Sequence, residues 1–167
     1  MADFKIPWTD GNTLSLTVPD KNLHCKISAP ELETLGDPAM LVDQAIQHPL
    51  GCPPLDIAAR GCDRATILVT DTMDTYMSAP HNLGPMLLDR FNCAGITDDR
   101  ISVVHAAGMH GHLGAKERLG EEWLRRVNYV EHHPGRESDL DYRGTTRLGT
   151  PVWVNKAVSE ADYTIGV

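Results

Sequence analysis

At 167 residues, 41% hydrophobic and 23% charged, the chain has the makeup of one globular domain with a core of its own, needing no disulfide or metal staple. Its formal charge of -8 gives no electrostatic footprint for a polyanion, so no nucleic-acid partner is expected. No apolar stretch approaches the roughly 20 residues of a spanning helix, and "MADFKIPWTDGN" lacks the basic and apolar regions of a secretion signal; a cytoplasmic protein with no membrane partner is expected.

Residues 1–35 read as a β-rich entry. "LSLTV" alternates apolar and polar, "LHCKI" does so less cleanly, and Asp10-Gly11 supplies turn chemistry. A helix follows, with Asp37 as cap, Pro38 at the first helical position, Met40, Leu41, Ala45 and Ile46 on one face, and Pro49 as the stop. "PLDIAARG" reads as a short helix ending at Gly61.

From residue 65 strands and helices alternate. "ATILVTD" (65–71) is a continuous apolar run, as a strand buried on both faces should be. A helix from about Asn82 carries Leu83, Met86, Leu87 and Phe91 on one face, with Gly95 past its end. "RISVVHAAG" (100–108) is the next buried strand, "AKERLGEEWLRRV" (115–127) the next helix, and "NYVEHH" (128–133) a third strand. "TPVWVNKAV" and "ADYTIGV" are further strand candidates. The succession predicts an α/β fold: a mostly parallel, Rossmann-like sheet with helices on both faces, preceded by the small β-rich segment. Cys25, Cys52, Cys62 and Cys93 form no CxxC pair, so they are expected reduced and partly buried rather than metal-binding.

In an open parallel sheet ligands bind where the strands' carboxyl ends open into loops. The loops "TDTMD" (70–74) and "AGMHGH" (107–112) should share that edge, which places a histidine cluster beside a cleft. His110, between Gly108 and Gly111, reads either as a general acid and base or as a loop residue capping the next helix. With His112 it forms an HxH pair that would need a third ligand such as Asp71 to hold a metal, and no HExxH or cysteine partner supports one. His105 falls inside the apolar run and reads as a satisfied buried histidine. Asp71 ends a buried strand, where a carboxylate is costly unless it is hydrogen-bonded or serves a ligand; Asp74 reads equally as turn or ligand. Of His132 and His133 at most one can look into a shared cleft, since neighbours on a strand face opposite ways, and packing or exposure is the reading for the pair. The charges Glu117, Arg118, Glu121, Glu122, Arg125 and Arg126 read as a solvated helix face.

In order, "HPLGCPPLDIAARG", "VTDTMD", "AAGMHGH", "LGEEWLRRV" and "YRGTTRLGTPVWVNKAVSEADYTIGV" resemble the amino-terminal domain of the nickel-dependent lactate racemase family. The resemblance implies inversion of 2-hydroxy acids or related hydroxy compounds with a nickel-pincer nucleotide as cofactor. It implies His110 as the catalytic histidine that removes the hydroxyl proton, Asp71 and Thr72 at the cofactor, and Asp74 and His112 at a hydroxy-acid or sugar-derived substrate. Two departures stand out. The family's loop carries threonine and arginine where this chain has Met73 and Asp74, and Asp74 would repel a carboxylate that an arginine would clasp; a substrate other than lactate, with donors for Asp74, is expected. The sequence also stops at Val167, before the family's stretch with the cofactor-attaching lysine, the second catalytic histidine and the nickel-binding histidine. Residues 1–167 are therefore expected to be one truncated amino-terminal domain, inactive without the missing carboxy-terminal domain. The alternatives are a non-catalytic ligand- or partner-binding domain of the same fold, and a mononuclear metal hydrolase built on His110, His112 and Asp71.

Overall fold

The computed structural model describes residues 1–31, 33, 36–70, 76–79, 81–108, 110 and 115–167. The chain divides into two compact units, Met1–Thr34 and Leu35–Val167. In the first, strands β1 (Ala2–Pro7) and β2 (Thr13–Val18) pair antiparallel, Phe4 opposite Leu16 and Ile6 opposite Leu14. The turn between them needs left-handed backbone at Asp10 (φ 58°) and Gly11 (φ 74°), which the Asp-Gly pair tolerates. "LHCKI", expected as a strand, is not one: a strand survives only with a ladder partner, and none pairs with it among the described residues.

The second unit opens with α1 (Pro38–Gln47), started as its sequence requires: the Asp37 side chain accepts from the Ala39 amide at 2.9 Å, and Pro38 fills the first turn. After α2 (Leu55–Ala58) comes β3 (Ala65–Thr70), then α3 (Leu83–Ala94), closed by Gly95 in left-handed geometry (φ 100°), and β4 (Ile101–Ala106). The helix expected over 115–127 is two pieces, α4 (Ala115–Leu119) and α5 (Glu121–Leu124), broken at Gly120, whose φ of 99° no helix accommodates. Then follow β5 (Asn128–Glu131), β6 (Leu140–Thr145), β7 (Pro151–Asn155), α6 (Lys156–Ser159) and β8 (Tyr163–Gly166).

Four strands form a parallel sheet in the order β5-β4-β3-β8, while β6 and β7 make a separate antiparallel hairpin. One face of the sheet, carrying Ile67, Val69, Ile101 and Val103, meets Leu87, Phe91, Leu119 and Trp123 of α3, α4 and α5 in a single buried cluster. The opposite face takes α6, to whose Ala157 carbonyl the buried Thr66 hydroxyl donates. Helices on both faces of a parallel sheet are what the alternating sequence predicts. His105 is fully buried, as its place in the apolar run requires.

Two expectations about side chains change. All four cysteines are free, but Cys25, Cys52 and Cys93 are exposed and only Cys62 is half-buried, because none of them occupies a core-facing strand position. Arg126 is more than a solvated charge: its guanidinium grips Asp98 through Nε at 2.8 Å and a second nitrogen at 3.2 Å, and donates to Asn92 Oδ1 at 3.1 Å. The Arg126 hydrogen bond, helped by one from Asn92, holds the Asp98 carboxyl below its ordinary value. A carboxyl depressed in the folded state contributes stability above the usual carboxylate range and loses it as pH falls through the lowered folded value. The Tm of Asp98→Asn should therefore lie below that of the unaltered protein at neutral pH, with the gap closing in acid; a gap independent of pH would contradict this role.

Candidate functional site at the carboxyl edge of the sheet

The strands deliver their loops to one edge. β3 ends at Thr70, β4 at Ala106, β5 at Glu131 and β8 at Gly166, and the parallel registers Thr70 to Ala106 and His105 to Glu131 align these ends. Val167 is tied to this edge, its amide donating to the Leu68 carbonyl at 2.8 Å and its own carbonyl accepting from the Thr70 amide at 3.3 Å.

Beyond β4 the chain turns sharply: the His110 amide donates to the Ala107 carbonyl at 3.0 Å, and Gly108 takes φ 60° with open space where a Cβ would stand. Ala107 is buried and His110 exposed, so the turn carries the chain from the core to the surface at the strand's carboxyl end. Imidazole is the side chain best suited to general acid-base work near neutral pH. Asp71, Thr72, Asp74 and His112 lie outside the described residues. Among the described residues no group of three His, Cys, Asp or Glu side chains could hold a metal ion.

His132 and His133 follow β5 at the same edge. The His132 amide continues the ladder by donating to the His105 carbonyl at 3.2 Å, and its Nδ1 lies 3.4 Å from Asn155 Nδ2. His133 Nε2 stands 3.8 Å from the Glu131 carboxylate. Asn155 lies inside the strand candidate "TPVWVNKAV" and ends β7. An asparagine directly before "KAV" is nonetheless an N-cap signal, and it was there to be read.

Described residues downstream of β3 and β4 meet around Trp123. Gly84 and Gly120 both lie against Trp123: a Cβ on Gly84 would come within 2.6 Å of the indole, and one on Gly120 within 2.7 Å of Ser78 Cβ. The Trp123 indole N–H donates to the Leu119 carbonyl at 2.6 Å. Cavities among the described residues lie elsewhere. A polar groove of about 530 Å³ sits at the amino edge between Arg64, Asp99, Arg100 and Glu160, and an apolar one of about 280 Å³ between Val42, Ile46, Leu55, Leu83, Tyr163 and Ile165. Among the described residues neither is lined by a histidine of the carboxyl edge.

The lactate racemase N-terminal domain model matches residues 10–167. The chain belongs to that family. It is 25% identical over 170 residues to the lactate racemase of Lactiplantibacillus plantarum and 23% identical over 171 residues to that of Thermoanaerobacterium thermosaccharolyticum, covering 99% of itself in each case. It spans only 39% of the length of either relative. The solved lactate racemase apoprotein from Thermoanaerobacterium thermosaccharolyticum has the same fold, with a TM-score of 0.71 at 23% identity over 99% of this chain and 38% of that one. For this member of the family, the described part of the carboxyl edge thus carries an exposed histidine, His110, and a second, His132, beside the buried Asn155 amide.

Proposed function

We propose that residues 1–167 are the amino-terminal catalytic domain of a longer racemase or epimerase that inverts 2-hydroxy acids or related hydroxy compounds. The observation that carries this reading is His110, lifted by the Ala107–His110 turn to the carboxyl end of a parallel strand in a chain of the lactate racemase family. His110 takes the proton from the substrate hydroxyl and returns it after inversion, acting as general base and then general acid.

The cofactor of this reading is a nickel-pincer nucleotide. What supports the substrate side of this reading is an exposed histidine, His110, at the carboxyl edge; among the described residues there is no ligand set for the nickel itself. Asp71 and Thr72 are the residues of this chain expected to hold the nucleotide. When bound, the cofactor supplies a hydride acceptor and donor. This chain's share is to bind and orient the hydroxy compound and to hold its hydroxyl proton.

Asp74 sets the substrate class. A carboxylate there disfavours a small hydroxy acid carrying only its own negative charge and favours one with further hydroxyl donors, such as a sugar-derived acid. The test is chiral chromatography after incubating the full-length, cofactor-loaded protein with enantiopure lactate and with sugar-derived hydroxy acids. Inversion of the latter with little lactate racemisation is expected, and Asp74→Arg should shift the preference toward lactate by about tenfold or more. Lactate racemisation at ordinary rates by the unaltered protein would overturn the assignment of Asp74. The isolated 167-residue chain should invert neither.

A further inference from the structure

Asn155, at the junction of β7 and α6, is only 6% exposed. Its Oδ1 accepts from the Ala157 amide at 3.0 Å, satisfying one of the donors that a helix start leaves without a partner. A carboxamide has one accepting oxygen and one donating NH2. With the oxygen committed to the cap, the NH2 is the group turned toward His132 Nδ1, 3.4 Å away. An NH2 group can only donate, so Nδ1 must accept, and the proton of the neutral imidazole sits on Nε2, on the side of the ring turned from Asn155. The ring is also anchored through its backbone, whose amide extends the β5 to β4 ladder, and it remains half-buried rather than sealed in. A half-buried imidazole with a fixed N–H, one strand away from the one that leads to His110, is built as a donor rather than as a base.

We propose that His132 is a substrate-binding residue of the carboxyl-edge site, its Nε2–H donating to a carboxylate oxygen of the 2-hydroxy acid, and that Asn155 is the positioning residue that keeps that proton on Nε2. The inference rests on the racemase reading above and deepens it. The two histidines then have opposite tasks. His110 must accept a proton, whereas His132 must present one without giving it up, and a neutral ring locked in one tautomer does so without competing for the hydroxyl proton.

The test uses the full-length protein with 15N-labelled histidine rings, at alkaline pH where the imidazoles are neutral. Asn155→Asp keeps an oxygen to cap Ala157 but replaces the donor facing His132 with an acceptor, so the fold is retained and the tautomer reverses. Proton–nitrogen ring correlations should show His132 protonated at Nε2 in the unaltered protein and at Nδ1 in Asn155→Asp. Adding glycolate, enantiopure lactate or gluconate should move the His132 Nε2 resonance of the unaltered protein. For whichever acid is inverted, KM should rise about tenfold to a hundredfold in Asn155→Asp and in His132→Phe while kcat changes little, as loss of a hydrogen bond to a charged group from ground and transition states alike requires. An Nδ1–H ring in the unaltered protein would overturn the role of Asn155. An Nε2 resonance indifferent to all three acids would overturn the role of His132. If the resonance moves but no hydroxy acid is inverted, the binding residue stands and the racemase reading falls.

Discussion

If the protein is the proposed racemase, replacing His110 with asparagine in the full-length protein is expected to lower inversion of a hydroxy acid by about 10²–10⁴-fold, the range that a positioned general acid-base group contributes. Asparagine is close to histidine in size and keeps polar atoms on the loop, so the turn held by the His110 amide and the Ala107 carbonyl survives. What it cannot do is take up and return a proton near neutral pH. The loss should therefore fall on kcat and kcat/KM together, with the substrate still bound, because the missing interaction belongs to the transition state. Unchanged circular dichroism and Tm would separate this from a folding defect, since an exposed loop side chain carries little of the core. Inversion at an undiminished rate in His110→Asn would remove His110 from the chemistry.

Trp123→Ala costs about 3–5 kcal/mol, the range for deleting a large buried aromatic side chain. The indole is 5% exposed and lies in the main core cluster, its N–H satisfied by the Leu119 carbonyl. Its surroundings leave little scope for collapse: Gly84 approaches it so closely that even a methyl group there would overlap the ring, and Gly120 stands against Ser78 on the other side. Loss of the ring should also loosen the segments that follow the two site loops, Tyr76–Ala79 and α4. Protease cleavage near those loops should accelerate more than the global destabilisation alone requires. Gly84→Ala should be destabilising from the opposite direction, by forcing an extra carbon against the indole and the Met77 carbonyl oxygen. A urea midpoint unchanged in Trp123→Ala would contradict this view of the junction.

Much of this architecture is written locally. Asp37 and Pro38 start a helix where the structure starts one, and the continuous apolar runs around Ile67 and Val103 become strands buried on both faces. Where the sequence misleads, a non-local contact decides. The Leu119, Trp123 and Leu124 pattern runs unbroken across Gly120, and only the left-handed backbone beside Ser78 divides the helix. Strand β8 follows β7 in sequence yet pairs with β3 across nearly a hundred residues, which no periodicity can reveal. The alternation of strands and helices places the His110 turn just after β4, where the structure has it. The role of His132 escapes that alternation because it depends on a partner from another element, Asn155. The roles expected of Asp71, Thr72, Asp74 and His112 fall outside the described residues and rest on the family resemblance.

In the proposed reaction His110 works on the substrate's hydroxyl proton and never on the hydrogen bound to carbon. The most direct measurement is inversion of an enantiopure substrate by the full-length, cofactor-loaded protein in heavy water, followed by chiral separation and mass analysis of the product. The inverted product is expected to keep its original hydrogen at the inverted carbon, since only the readily exchangeable hydroxyl proton passes through His110. Deuterium at that carbon, gained in step with inversion, would mean that a base removes the carbon-bound proton and would contradict the assignment.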